Sequence, residues 1–562
     1  MARHRIFGAF LASLALACSG SAASDGDGVV SGRVLAGEEP VSGATVRIQA
    51  TAHATTTDAR GRFRLALPGG VETARLTAWA EGYYNAGPED AAAGENDLVI
   101  RLHRHTLEDH PGYNWLPALG DAEGACVHCH SGASGEVDST LPLEQWRLDA
   151  HSSSAVNPRF LTMYSGTDVR GRPSDPTRFV DTRDYGREPL RATEEERPAG
   201  PGYRLDFPDT AGNCAACHAP VAAVNRPLET DPRQVTGVGA EGVSCDLCHK
   251  LWSVRLDPST GLPYPDMPGV LSYELRRPED GHQLFLGPFD DVPGEDARSP
   301  FYRRSEYCAG CHFGVFWDVV VYDSFGEWLR SPYSDAENGR SCQDCHMPPT
   351  GAAVFARPDR GGLRRDPATI AGHRMPGAGD EDLLRNAVTM TVEAERFDGR
   401  AVVRVLITND RTGHHVPTGS PLRQVILLVR ASNEAGSFSR LLTGPTLPEW
   451  TGVGDPESGR YAGLPGKAYA KVLQDAWTSE RPTAAYWNPT FVVADTRIEA
   501  LATDRSTFVF DTPPGDGVTV EATLVYRRAF IALIEAKGWD TPDIVMARQV
   551  RLLAAQGGVA TR

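Results

Sequence analysis

Ten of the eleven cysteines in this 562-residue chain fall into five copies of one pattern, Cys-x-x-Cys-His. The copies are Cys126/Cys129/His130, Cys214/Cys217/His218, Cys245/Cys248/His249, Cys308/Cys311/His312 and Cys342/Cys345/His346. At this composition chance would supply about 0.006 copies. The spacing has a chemical reason. Two thiols three residues apart can each add to one vinyl group of a single porphyrin, and the adjacent histidine is then held beneath the iron as its proximal ligand. Zinc sites and thioredoxin-like dithiols would account for the cysteine pairs but not for a histidine after every one. Disulfides, the usual use of cysteine in an exported protein, would not produce the repeat either. The pattern therefore predicts five covalently attached c-type haems, with His130, His218, His249, His312 and His346 on the irons. A chain that encloses five porphyrins can build much of its apolar interior from them. The Pro/Gly-rich connections at 261–269 and 287–300 fit that economy of regular structure.

A sixth ligand on each iron must come from elsewhere. The chain has 16 histidines, and ten remain once the motif members and His4 are set aside. Four are candidate distal ligands: His151 in Trp146-x-x-x-x-His151, His282 in Gly281-His282, His373 in Gly372-His373-Arg374-Met375, and His414 in Gly413-His414-His415-Val416-Pro417-Thr418-Gly419. His415 competes with His414. His110 is a weaker fifth candidate, Met163 and Met375 are outside ones, and His53 and His128 read as surface residues. Two imidazoles per iron suit electron transfer, whereas an open position is what substrate chemistry needs.

The motifs start 88, 31, 63 and 34 residues apart, which pairs the second with the third and the fourth with the fifth. Gly242-Val243-Ser244-Cys245 and Gly339-Arg340-Ser341-Cys342 look alike, as two related di-haem units would. Trp146–His151 and Phe325–Ser331 read as short helices.

Both flanks have strand texture. Val29–Val34, Ala44–Ile48, Gly61–Leu65 and Leu98–Leu102 alternate apolar and polar residues, with turn chemistry at Thr57–Gly61 and Pro68–Gly70. Their order resembles the carboxypeptidase regulatory-like domain, which implies a β-sandwich without catalytic residues, a spacer or docking module. Past Asn386, Val388–Val392, Val402–Thr408, Gln424–Ala431, Ser506–Phe510 and Val518–Val525 read as strands, and Ala529–Ala536 as a helix stopped at Lys537-Gly538. The expected organisation is an export signal at 1–23, a β-sandwich at 26–104, a loop-and-short-helix pentahaem domain at 105–385 and a mainly-β, sandwich-like domain at 386–562.

Arg3, His4 and Arg5 followed by an apolar run from Ile6 to Ala17 read as the export signal. Two cleavage readings stand side by side: a lipoprotein box at Ala15-Leu16-Ala17-Cys18, which would anchor the chain by lipid on Cys18, and ordinary cleavage after Ser21-Ala22-Ala23. Either places the mature chain in the periplasm, at the outer membrane or beyond it. The formal charge of −17 argues against nucleic acid as a partner.

The region 110–430 resembles the multihaem cytochrome c superfamily of the tetrahaem carrier of ammonia oxidisers, hydroxylamine oxidoreductase and pentahaem nitrite reductase. The matching pieces are Trp146–Ser152, Glu241–His249 and Cys345-His346-Met347-Pro348. The resemblance implies closely stacked haem pairs and two histidines per iron. Two departures bear on activity. No motif replaces its histidine by lysine, as the nitrite reductases do at the catalytic haem, and no tyrosine can be assigned the cross-linking role found in hydroxylamine oxidoreductase. The expected function is electron transfer with no catalytic residues, its partners being periplasmic or outer-membrane cytochromes. The alternative is an oxidoreductase acting on a small nitrogen or sulfur oxyanion at one open haem.

Overall fold

The computed structural model describes residues 28–132, 140–184, 186–190, 192–279, 281–512 and 517–555. The expected export signal and Cys18 lie outside them. Among the described residues no helix is long and apolar enough to cross a membrane.

The first unit is a sandwich of two four-stranded sheets. Its strands are β1 (Val29–Ala36), β2 (Glu39–Pro40), β3 (Thr45–Ile48), β4 (Ala54–Thr56), β5 (Arg62–Ala66), β6 (Thr73–Trp79), β7 (Ala86–Ala92) and β8 (Leu98–Arg101). One sheet runs β2-β1-β5, with β8 parallel to β1; the other runs β4-β3-β6-β7. Strict alternation sets the faces: in β5, Phe63 and Leu65 are buried while Arg62 and Arg64 are exposed. Phe63 and Leu65 meet Val30, Val34, Val46, Leu76 and Ile100 in the core between the sheets. Gly32 is required on β1, since a Cβ there would lie 2.0 Å from the Leu98 carbonyl oxygen on β8.

The middle of the chain carries only short elements, two-stranded ribbons and helices of a single turn or two. The helix expected at Trp146–His151 is two pieces: an α-helix at Pro142–Arg147 and a 3-10 turn at Ala150–Ser153 started by the Asp149 side chain. The one expected at Phe325–Ser331 spans Ser324–Leu329. Apolar burial here is split into small clusters, such as Ala155, Ala215, Ala216, Ala219, Ala223 and Val270.

The last unit is again two four-stranded sheets. Its strands are β9 (Thr389–Phe397), β10 (Arg400–Thr408), β11 (Gln424–Asn433), β12 (Leu441–Thr443), β13 (Gly466–Tyr469), β14 (Lys471–Asp475), β15 (Thr490–Asp495), β16 (Thr503–Asp511), β17 (Val518–Arg527) and β18 (Ile544–Leu553). The sheets run β9-β10-β16-β12 and β13-β11-β17-β18, with β14 and β15 a separate ribbon. Val392 and Val403 of one sheet and Leu427 and Leu524 of the other share one core. The helix predicted at Ala529–Ala536 is Ile531–Lys537, ended by Gly538 in the left-handed conformation. It packs on the middle region through Phe530, Leu533 and Trp539 against Met163, Tyr164 and Tyr203. Lys537, wholly buried, donates to the carbonyls of Thr162 (3.0 Å), Thr167 (3.2 Å) and Pro201 (2.6 Å).

Candidate haem centres

Each motif folds as about one helical turn. Four lie on α-turns, Val127–His130 after Cys126, Cys214–His218, Cys245–Cys248 and Cys342–His346; the fourth in sequence follows the 3-10 turn Ser305–Cys308. In motifs one, three and four the histidine N–H donates to the carbonyl of the first cysteine, at 2.9, 3.0 and 3.1 Å. A turn of this kind brings residues i and i+3 to one face, so both thiols point the same way. All ten motif cysteines are free of disulfides and half-buried. The likeness of residues 242–245 to 339–342 has a local cause: Ser244 and Ser341 both cap their helices, Ser341 with Asp344 as a capping box.

The thiols link the motifs in an order that the sequence spacing does not give. Cys126 of the first motif meets Cys245 of the third, Cys217 of the second meets Cys311 of the fourth, and Cys308 of the fourth meets Cys342 of the fifth. The fourth and fifth motifs are neighbours as their spacing predicts. The second is in thiol contact with the fourth, its neighbour across the fold, where spacing had paired it with the third.

Cys129, expected to attach a haem together with Cys126, differs from it in its surroundings. The Cys129 N–H donates to the Cys126 carbonyl at 3.3 Å, and its own carbonyl accepts the Arg357 N–H at 2.8 Å. Cys345, the second thiol of the fifth motif, likewise has an arginine for a neighbour, Arg340. Between the third and fourth motifs sits a tyrosine cluster. Tyr302 and Tyr307 donate to the Cys248 carbonyl at 2.6 and 3.0 Å, and Tyr273 donates to the Tyr307 carbonyl at 2.7 Å.

The imidazoles share one hydrogen-bond habit. His130 Nδ1 is held by the Phe355 carbonyl (2.8 Å), His249 Nδ1 by Leu286 (2.7 Å) and His346 Nδ1 by Pro376 (2.8 Å). Nδ1 bound in this way leaves Nε2 free for a metal and fixes the ring. Three of the four distal candidates follow the same habit. His373 Nδ1 meets the Ala371 carbonyl (3.1 Å), His414 Nδ1 the His415 carbonyl (3.0 Å), and His151 Nδ1 the buried carboxylate of Asp149 (2.6 Å). His151 faces His312 with ring centres 6.1 Å apart, and His414 faces His346 at 6.3 Å. Two imidazoles each bound about 2 Å from one metal atom would have their ring centres about 6 Å apart. Thiols on one face, imidazoles with Nδ1 occupied and facing partners at that separation fit a c-type haem. Burial pushes His218 and His373 down to about 4 and His312 to about 3, and lowers His249 and His414 as well. Each shift favours the neutral imidazole, the form that binds a metal.

Both His249 and His130 lie close enough to His373 to disfavour its protonation further. His282 lies at the surface. Its side chain is exposed on the rim of a surface cavity of about 570 Å³ with Asn85, His103 and Glu295. The strand it precedes, Phe285–Gly287, serves the third motif by its backbone instead, through Leu286. Of the rivals, His415 turns to Glu327 (Nδ1 to Oε1, 3.7 Å), and its N–H donates to the same carboxylate at 3.1 Å. Glu327, itself paired with Arg497, thus holds the loop that carries His414. His110 lies 3.7 Å from Glu279, and His53 and His128 bond the Ala66 and Ala122 carbonyls. A buried histidine that sequence reasoning missed is His105, edge-on to Tyr84 and Trp252 with Nδ1 on the Thr106 carbonyl. Nothing in its flanking residues marks it.

Two of the three segments that carry the family resemblance, Trp146–Ser152 and Glu241–His249, pack on each other. Trp146 Nε1 donates to the Val243 carbonyl at 2.9 Å, and Val243 N–H to the His151 carbonyl at 3.0 Å. A known protein structure similar to this chain is the penta-heme cytochrome c552 from Thermochromatium tepidum. It matches at 19% sequence identity with a TM-score of 0.50, covering 76% of this chain and 97% of the other. The two chains share a fold. Residues 29–103 match the family model of the carboxypeptidase regulatory-like domain, so the shared fold here carries that sandwich at its N-terminal side. A second structure, the Fcho1 Mu homology domain of Danio rerio with bound Eps15 peptide, aligns at 9% identity over 31% of this chain and 45% of that one. Its TM-score of 0.12 carries no argument. Comparison with curated proteins finds no match.

Proposed function

We propose that this chain is an exported penta-haem c-type cytochrome that carries electrons through closely packed haems and performs no substrate chemistry of its own. The observation that carries this reading is the facing of His151 with His312 and of His414 with His346. A haem bound at each motif supplies a one-electron ferric/ferrous couple. The protein's part would be to offer two imidazoles to each such iron, a ligand set that suits electron transfer. His151 and His414 do this for the fourth and fifth motifs, and His373 is the donor available to the first or third. The thiol contacts support two groups of neighbouring centres, the first with the third and the fourth with both the second and the fifth, and the tyrosine cluster at Tyr302 and Tyr307 lies between the groups. Its donors and acceptors are other exported redox proteins, periplasmic or at the outer membrane, and Cys18 anchors the chain if the lipoprotein reading holds.

A second reading has one observation in its favour. His218 is stacked on Phe160 with ring centres 3.9 Å apart. An iron there with an open position would act on a small nitrogen or sulfur oxyanion.

An EPR spectrum of the purified ferric protein decides between them, run with a haem count and reduced spectra with and without CO. Five low-spin irons and no response to CO are expected. One high-spin iron that binds CO on reduction would overturn the carrier reading in favour of the second.

A further inference from the structure

The N-terminal sandwich grips one segment of the middle region, residues 283–298. Arg47 donates Nε and Nη2 to the two carboxylate oxygens of Asp290, at 2.7 and 3.0 Å. The Ala50 N–H donates to Asp291 Oδ2 at 2.7 Å, and Gln49 Nε2 to the Asp291 carbonyl at 3.2 Å. Asn85 donates its side-chain amide to the carbonyls of Phe289 (3.1 Å) and Val292 (2.9 Å), and its backbone N–H to the Asp296 carbonyl at 2.8 Å. Tyr84 adds a bond from its hydroxyl to the Gln283 carbonyl at 2.8 Å.

The same segment fixes two motif histidines. Leu286 accepts from His249 Nδ1 and returns its own N–H to the His249 carbonyl at 2.9 Å, so the third motif's imidazole is clasped to it. The first motif is reached through Asp291. Both of its oxygens take Arg365 Nη1, at 2.8 and 2.9 Å, in a buried pair. The Arg365 guanidinium lies over the rings of Phe289 (4.6 Å) and Phe355 (5.5 Å), which stack at 5.5 Å. Phe355 is the residue whose carbonyl holds His130 Nδ1, and its ring stacks on that imidazole. Between the short strands Phe285–Gly287 and Asp296–Arg298 the segment Pro288–Glu295 has no regular structure. Its shape is therefore set by what it touches.

We propose that the N-terminal domain is a positioning module for the axial histidines of the first and third motifs. By holding residues 283–298 it sets the carbonyls that orient His130 and His249, and hence the ligand strength of both imidazoles. Arg47, Asn85, Asp291 and Arg365 are positioning residues in this device. The proposal rests on haem at those two motifs, which the haem count of the unmodified protein tests by itself.

The test uses the full haem-loaded chain with Arg47→Ala, Asn85→Ala and the pair combined, Arg47→Lys as the conservative control, and Asp290→Asn as the milder variant should the pair fail to fold. Redox titration followed optically, ferric EPR and hydrogen exchange over residues 283–298 are read on each. The expected result is an unchanged haem count with faster exchange in that segment. Two redox couples then move, each by at least a threefold change in equilibrium constant (about 28 mV for one electron), and two sets of low-spin g-values change. Arg47→Lys should restore both. Couples and g-values that stay put while the segment loosens would overturn the proposal. So would displacement of every couple together, the mark of a general loss of structure.

Discussion

His151 stands apart from the other oriented imidazoles because its Nδ1 meets a carboxylate, Asp149 at 2.6 Å, where His130, His249, His346, His373 and His414 meet carbonyls. Asp149 is buried, so water screens this charge poorly. An anionic acceptor makes the imidazole a stronger donor to iron and stabilises the ferric state. Asp149→Asn removes the charge and leaves the geometry, since asparagine also starts the turn at Ala150–Ser153 by accepting the His151 N–H. A charge-assisted hydrogen bond exceeds a neutral one by about 1 kcal/mol. For a one-electron couple that is about 40 mV. The expected outcome is one redox couple shifted upward by that amount in a spectroelectrochemical titration, with the others unmoved. The EPR signature of the same centre, the one shared by His151 and His312, should change with it. A downward shift, or no couple moved, would refute the assignment of His151 as an axial ligand polarised by Asp149.

His414→Ala should convert one iron to a high-spin, CO-binding form, while His415→Ala and His282→Ala leave every iron low-spin; EPR with CO difference spectra checks all three. Gly269 has φ +58°, and a Cβ there would lie 2.3 Å from the Ala216 carbonyl oxygen and 2.8 Å from Cys217 Sγ. Gly269→Ala should therefore cost about 2–4 kcal/mol and lower the Tm by several degrees, read by calorimetry. Burial pushes Lys537 down to about 7 from its ordinary 10.5. The unfolded chain then binds the extra proton between those values, so stability rises with pH across that window and is independent of this group below it. The gain is on the order of 5 kcal/mol at most. Urea midpoints at pH 7 and 9.5 should show the rise in the parent and lose it in Lys537→Met.

What each level of description decided follows from the range over which its forces act. The haem motifs are local: two thiols and an imidazole within one turn of backbone carry their chemistry wherever the turn is placed, so five short stretches of sequence suffice to read them. The sandwich faces are nearly as local, because a strand buried on one side must alternate, as Phe63 and Leu65 do between Arg62 and Arg64. Partners across the fold are another matter. Nothing beside His282 distinguishes it from His373 in sequence, since both follow a glycine; packing against Gln145 and near two motif histidines separates them, and that depends on residues more than a hundred positions away. Sequence spacing put the second motif beside the third, and the fold adds a contact that spacing does not show, Cys217 with Cys311, since chain distance does not order contacts once loops close. Within the first motif, too, Cys126 and Cys129 are equivalent in sequence, and only the fold sets one against Cys245 and the other beside Arg357. The choice of His414 over His415 was likewise decided in three dimensions, by Glu327 capturing the second of them and leaving the first to face His346.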